Sequence, residues 1–385
     1  FNNYVNRINN DLPNRIFVNY VQKKPEEFSR DFISALARGM GPDAILISAD
    51  TILSHEDKLT LIPYTALPQR TFTNTYIQEA NIYLSPKGVL GIPFTVDPLV
   101  MYWNRDMFNA AGVATYPKFW NEFAGLNKKL TFKDERGNIR RSAVALGEFS
   151  NITHAREILG TLMMQSGNGI TVRTAEGVAE SLLKSTDYSP DAAVDFFIQA
   201  ANPTNSSYSW NKSLPESKTA FLGGTLATYF GFASELKELR EKNPNMNFDV
   251  ALLPQRQVTA SQKAFPVTYG RMYGFSIVHS SPNQNAAYQI ISLLTSPQFL
   301  SGLATESYLP SVHVDVIAQG SEDPYISIFN EAVLIARTWV DSDPGDSNAV
   351  FRSMIESISS GQKEISESLR DASDQYDVLL AKVRQ

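Results

Sequence analysis

The sequence predicts an α/β fold: a mostly parallel sheet covered by helices, in a chain long enough for two or three domains. Three observations carry this. Short continuous apolar runs such as Ala44–Ser48 (AILIS) alternate along the chain with helical periodicities, the pattern of strands buried on both faces. The 385 residues exceed one ordinary domain at roughly 100 to 200 residues each. Apolar residues make up 43% and charged residues 19% of the chain. That is a soluble globular balance, and no run approaches the roughly 18 apolar residues of a membrane span.

Pro25, Glu26 and Glu27 form the first turn of a helix in which Phe28, Phe32 and Leu36 recur every four residues, and Gly39 or Gly41 stops it. Pro42 and Asp43 lead into the strand Ala44–Ser48. From Gly91, residues 92–96 are extended, meet an Asp97-Pro98 joint, and continue through 99–103. Asn104 caps a short helix ending at Gly112, and Pro117 opens another carrying Phe119, Phe123, Leu126 and Leu130 on one face. Residues 131–145 read as a hairpin around Gly137 and Asn138, and helices follow over 153–165 and 190–200. Gly223 and Gly224 precede a strand over 225–230, and a charged helix begins at Gly231. Strands over 248–253 and 272–278 precede helices over 282–295, 323–338, 347–359 and 362–383.

Composition removes whole classes of chemistry. Cysteine is absent, so thiol nucleophiles, disulfides and thiolate metal sites are excluded. The four histidines stand far apart without metal-ligand spacing, and no metal or cofactor is expected. A net charge of -6 without a dense basic cluster argues against nucleic acid as a partner. Neither a nucleophile elbow nor a phosphate loop is found, nor a glycine-rich dinucleotide fingerprint after a strand.

Several motifs, in order, resemble the extracytoplasmic solute-binding proteins of ATP-driven importers, in the group similar to maltose-binding protein. They are ARGMGPD (37–43), GIPFTVDPLVMYWNRDMF (91–108), AAGVATYPKFWNEFAGLNKKL (110–130), AFLGGTLATYFG (220–231), residues 243–254, and GFSIVHSSPNQNAAYQIISLL (274–294). The resemblance implies a periplasmic-binding-protein-like fold of two α/β lobes joined by a hinge of several crossings. These crossings are expected near Asp97, near 269–274 and near 310–316. One lobe would comprise residues 1–97 and 274–310, the other 98–273 and 311–385. Phe119 departs from the family's helix-capping Thr. The family's first strand, which should precede the helix holding Val5 and Ile8, has no counterpart in the sequence given.

The resemblance also implies a ligand site. Asp50 follows a strand end, where open α/β sheets bind ligands; its other reading is a cap for the next helix. Asp97 is either a ligand carboxylate at the joint or a turn residue before Pro98. Phe94, Trp103, Phe149, Trp210, Phe232 and Tyr273 occupy cleft positions, where aromatic faces stack on sugar C–H surfaces; core packing is the alternative for each, and strand alternation weakens Trp103 most. Asn151 and Arg271 would serve sugar hydroxyls, although Arg271, read as part of a Gly-flanked loop, also fits a solvated surface position. Glu148, Asp50 and Asp97 are too scattered to define a glycosidase pair.

The expected activity is therefore capture of a sugar or oligosaccharide by lobe closure, without catalysis, outside the cytoplasm and with a membrane permease as partner. A monomer is expected, with lipid anchoring through a segment beyond this chain left open. A non-sugar polar solute such as a polyol or glycerol phosphodiester is the alternative.

Overall fold

The computed structural model describes Val5 and residues 17–174, 178–185, 190–259 and 263–382. Ile8 and Val383 fall outside the described residues.

An eight-stranded sheet organises the chain. Its strands are β1 (Ala44–Ser48), β2 (Ile92–Asn104), β3 (Phe132–Lys133), β4 (Ile139–Val144), β5 (Leu226–Phe232), β6 (Phe248–Ala251), β7 (Thr268–Ile277) and β8 (Ala336–Arg337). They lie in the order β1-β7-β2-β5-β4-β3, with β6 also on β2 and β8 also on β7. The α/β class holds, but the pairing corrects the expectation of a mostly parallel sheet. Only β5 with β4 and β8 with β7 pair parallel, while β1-β7, β7-β2, β2-β5, β2-β6 and β3-β4 are antiparallel. Apolar runs report burial on both faces, and strand direction comes from non-local partners that the pattern does not encode.

β2 runs unbroken for 13 residues, about 40 Å at strand rise, through the Asp97-Pro98 joint. Proline has no N–H to give a ladder, and Pro98 sits where β2 changes partner: residues 92–98 pair with β7, and Leu99 onward with β5. The two halves of β2 also enter different cores. Ile92, Phe94 and Val96 join Ile47, Ile52, Met272, Phe275 and Val312, whereas Leu99, Met101 and Tyr102 join Phe108, Leu159, Phe221, Phe232 and Phe351. Val312, Ile317, Val333 and Ala336 belong to the first of these cores.

Helix ends follow side-chain chemistry. Asn104 Oδ1 accepts from Met107 N at 3.0 Å, as its capping role requires. Phe119 has no oxygen to cap with, and Glu122 Oε2 instead accepts from Lys118 N at 2.7 Å and Phe119 N at 3.3 Å. Three helices matter below: α1 (Ala155–Gln165), α2 (Pro344–Ser359) and α3 (Ile365–Lys382). α2 begins at a proline and is capped by Asp343, which accepts from Gly345 N at 2.8 Å and Asp346 N at 3.2 Å.

Two local expectations are corrected. The charged helix does not begin at Gly231: β5 stays extended through Gly231 to Phe232, a short 3₁₀ turn follows at Ala233–Glu235, and the helix is Leu236–Lys242. Arg271 lies inside β7, not in a loop, because both flanking glycines, Gly270 and Gly274, keep an extended backbone paired to β2.

Candidate functional site

The site is built where β2 and β7 cross from one core to the other. Residues opposite each other in a ladder share a face, as do alternate residues along a strand. The pairs Ser48 with Tyr273, Tyr273 with Thr95, and Arg271 with Asp97 therefore place these five side chains on one face. The opposite face carries Phe94, Val96 and Met272 into the first core.

Asp97 is 5% exposed. Its Oδ1 accepts from Ser234 N at 3.0 Å, and its Oδ2 accepts from Ser234 Oγ at 2.7 Å and Arg271 Nη2 at 3.1 Å. Burial raises the Asp97 pKa, opposed by the Arg271 charge and the Ser234 hydrogen bonds. The Asp97-Pro98 joint is therefore buried, not an exposed turn. The Arg271 guanidinium carbon lies 3.7 Å from the centroid of the Phe232 ring, a cation-π stack. Phe232 is 1% exposed and meets His154 edge-on at 4.6 Å and Tyr269 at 6.1 Å. His154 Nε2 contacts Glu235 Oε1 at 2.5 Å, and Glu235 also accepts from Phe232 N and the Tyr229 hydroxyl. Burial pushes Glu235 up, but these partners outweigh it and hold the pKa at about 2.

A second set of charges adjoins this one. Arg156, at the start of α1 and 2% exposed, donates to Asp341 Oδ2 at 2.8 Å, Ser347 Oγ at 2.6 Å and Pro344 O at 3.3 Å, and lies 4.9 Å over the Trp339 ring. Gly160 of α1 lets Trp339 in, since a Cβ there would fall 2.7 Å from the indole. Asp341 is completely buried, and burial lifts its pKa to about 6 against the pull of Arg156. Its N–H donates to Asp50 O at 2.7 Å. The Asp50 side chain is buried, with Oδ1 unpaired among the described residues; burial raises its pKa, opposed by the charge of Arg156.

The structure therefore gathers Asp50, Asp97, Phe232, Arg271 and Tyr273 at one crossing. It sets Phe149, Asn151 and Trp210 together elsewhere. Trp210 Nε1 donates to Asn151 Oδ1 at 3.1 Å, and Asn151 Nδ2 donates to Asn211 O and Leu214 O. Phe149 is buried beneath Arg352 at 5.9 Å, and Glu148 lies 3.8 Å from Lys212. Phe94 packs on Phe275 at 4.9 Å, and Trp103 on Phe108 at 5.1 Å. A groove of about 660 Å³ runs along α2, lined by Lys212, Gly345, Asn348, Ala349, Arg352, Ser353, Glu356, Ser357, Ser360 and Gln362. None of the crossing residues lines it; its nearest link to them in the chain is the first turn of α2, where Gly345 lines the groove and Ser347 accepts from Arg156.

Sequence reasoning missed Arg156, His154, Ser234, Tyr269 and Asp341. A signal existed for Arg156: it and Glu157 form a charged pair in an otherwise apolar helix (AREILGTLMMQ). Ser234 and Asp341 had none, since their partners are 137 and 185 residues away in the chain.

Two long strands shared by two hydrophobic cores, with buried charge collected where they cross, constitute a periplasmic-binding-protein-like architecture. The chain belongs to the bacterial extracellular solute-binding proteins, whose family model matches residues 4–318. No curated protein matches it in sequence. Among solved structures, it resembles the cyclic alpha-maltosyl-1,6-maltose binding protein of Arthrobacter globiformis (15% identity, 98% of this chain and 94% of that one, TM-score 0.77). It also resembles an ABC substrate-binding protein of Listeria monocytogenes in complex with cycloalternan (15%, 98% and 94%, 0.72). A third is UgpB of Mycobacterium tuberculosis in complex with glycerophosphocholine (15%, 100% and 95%, 0.75). At these identities the likeness establishes the fold. Among the described residues, no helix is long and apolar enough to cross a membrane.

Proposed function

We propose that this protein is the substrate-binding component of an ABC importer and captures a sugar or oligosaccharide between two lobes that close about β2 and β7. The observation that carries the reading is the shared face of Ser48, Thr95, Asp97, Arg271 and Tyr273 at the crossing, with Asp50 beside it. It offers carboxylate, guanidinium, hydroxyl and aromatic groups together, the mixture that a polyhydroxylated ligand requires. In this reading the lobes correspond to the two cores, and a third crossing at 336–341, in place of the one expected near 310–316, is supported by the packing of Val312 and Ile317 in the first core. Phe149, Asn151 and Trp210 shape the second lobe's wall beside the groove, and Phe94 supports the floor from behind. Closure would present an occupied form to a membrane permease, and no chemistry is performed on the solute.

Glycerophosphocholine and cycloalternan, present in the structures named above, and maltotetraose and mannobiose, bound in two further structures of similar fold, give the first panel for a thermal-shift screen. At 100 times its dissociation constant, a bound solute is expected to add about 2.7 kcal/mol of stability. A response to maltotetraose or mannobiose supports the sugar reading. A response to glycerophosphocholine alone replaces sugar with a phosphodiester, a second reading favoured by Arg352 and Lys212 in the groove.

Asp97→Ala is expected to weaken solute binding by roughly 1.5 to 3 kcal/mol and also to lower stability by about 1 to 3 kcal/mol, because it strips Ser234 N–H of its acceptor and Arg271 of its counter-charge. Calorimetry and urea denaturation on the same variant measure the two effects. Unchanged affinity and unchanged stability together would remove Asp97 from the site.

A further inference from the structure

We propose that Arg271 is the side chain that reads the solute, and that Asp97, Ser234 and Phe232 act through it by holding its guanidinium in place. The inference rests on the solute-binding reading and sharpens which chemistry the crossing recognises. Phe232 cannot itself offer a stacking surface in this arrangement. It is 1% exposed, the guanidinium covers one face at 3.7 Å, and His154 and Tyr269 close in at 4.6 and 6.1 Å. Asp97 is similarly occupied, since both carboxylate oxygens already accept, three hydrogen bonds in all.

Arg271 differs from both. Its side chain remains 36% exposed, and its one hydrogen bond among the described residues goes from Nη2 to Asp97. Nε is buried without an acceptor. A guanidinium carries five N–H donors in a rigid planar fork, so an aromatic plate beneath it fixes the plane and a carboxylate at one edge fixes the rotation. The remaining donors then suit two oxygens set side by side. A vicinal hydroxyl pair of a sugar ring provides this, and so does the oxygen pair of a phosphodiester. Because Asp97 neutralises Arg271 at 3.1 Å, the neutral diol is the better match.

The test is a double-mutant cycle read by calorimetry with maltotetraose, mannobiose and glycerophosphocholine as probes. Arg271→Gln is expected to weaken the probe that wild type binds by about 10- to 100-fold, the loss of hydrogen bonds from a charged donor. Arg271→Lys should not restore it, because a point charge lacks the fork. Phe232→Leu should weaken the same probe by about 10-fold, Phe232→Trp should retain binding through its aromatic face, and Phe232→Leu combined with Arg271→Gln should be no weaker than Arg271→Gln alone. Should Phe232→Leu fail to fold, Ser234→Ala takes its place in the cycle, since it removes one support of Asp97 from a partly buried position. Wild-type affinity in Arg271→Gln, rescue by lysine, or additive losses in the double variant would each overturn the proposal while leaving the solute-binding reading intact. Binding of none of the three probes by wild type would overturn both. Preference for maltotetraose or mannobiose identifies the oxygen pair as a diol, and preference for glycerophosphocholine identifies it as a phosphodiester.

Discussion

Arg156→Met is expected to destabilise the protein by about 3 to 5 kcal/mol, the cost of removing one partner of a buried ion pair. Asp341 would remain with no exposed surface, its Oδ2 reduced to the bond from Ser347 and its Oδ1 already unpaired among the described residues. Methionine keeps an aliphatic stem but not the guanidinium carbon that lies 4.9 Å over the Trp339 ring, so the lost interactions are those of the charge. Arg156→Met with Asp341→Leu should recover much of the deficit, because the double variant leaves no buried charge stranded. By contrast, Lys184→Met breaks an exposed pair with Asp374, 49% and 64% exposed, and is expected to cost no more than about 1 kcal/mol. Urea denaturation of wild type and these three variants decides: a loss under 1 kcal/mol for Arg156→Met would mean that the pair is not buried as described.

Glu79 gives the second large effect, and it depends on pH. Its carboxyl is buried in the first core beside the 336–341 segment, where Oε1 accepts from Thr338 N at 2.7 Å and Oε2 lies 3.8 Å from Arg337 Nε. Burial raises its pKa from 4.5 to about 8, against the pull of the Thr338 N–H and Arg337. The folded state therefore holds a proton that the unfolded chain has lost between pH 4.5 and about 8. Where the native state binds more protons, stability falls as pH rises, so Glu79 weakens the fold progressively across that window, by on the order of 4 kcal/mol in the limit. Glu79→Gln keeps an acceptor for Thr338 and has no charge to bury. It is expected to match wild type near pH 5 and to exceed it by about 2 to 4 kcal/mol near pH 8.5. Parallel stability curves for the two proteins over this range would contradict the burial of Glu79.

The sequence disclosed the local elements well. Ala44–Ser48 is a strand with the expected bounds, Asn104 caps its helix, and the Asp97-Pro98 joint marks the place where a strand changes partner. Each of these is written in a few adjacent residues. Strand direction was not legible, since antiparallel β2 and β7 are joined by 163 residues of intervening chain between Asn104 and Thr268. The same limit applies to the site. Asp50, Asp97, Phe232, Arg271 and Tyr273 could be named from resemblance, but nothing local indicates that Phe232 would lie under Arg271, or that Asp97 would be bound by Ser234. The reading of a helix start at Gly231 failed for a related reason. Glycine is a common helix stop and start in sequence patterns, yet here Gly231 stays extended in its pairing with Val100, and its lack of a Cβ leaves room for the Tyr229 ring, which a Cβ would approach to 2.4 Å.

The central claim, that solute is held between two lobes closing about β2 and β7, is tested most directly by small-angle X-ray scattering with a solute shown by calorimetry to bind. Saturation is expected to reduce the radius of gyration and the maximum dimension together, as a hinge closure requires. Proven binding of maltotetraose, mannobiose or glycerophosphocholine with a scattering profile identical to that of the free protein would contradict the account.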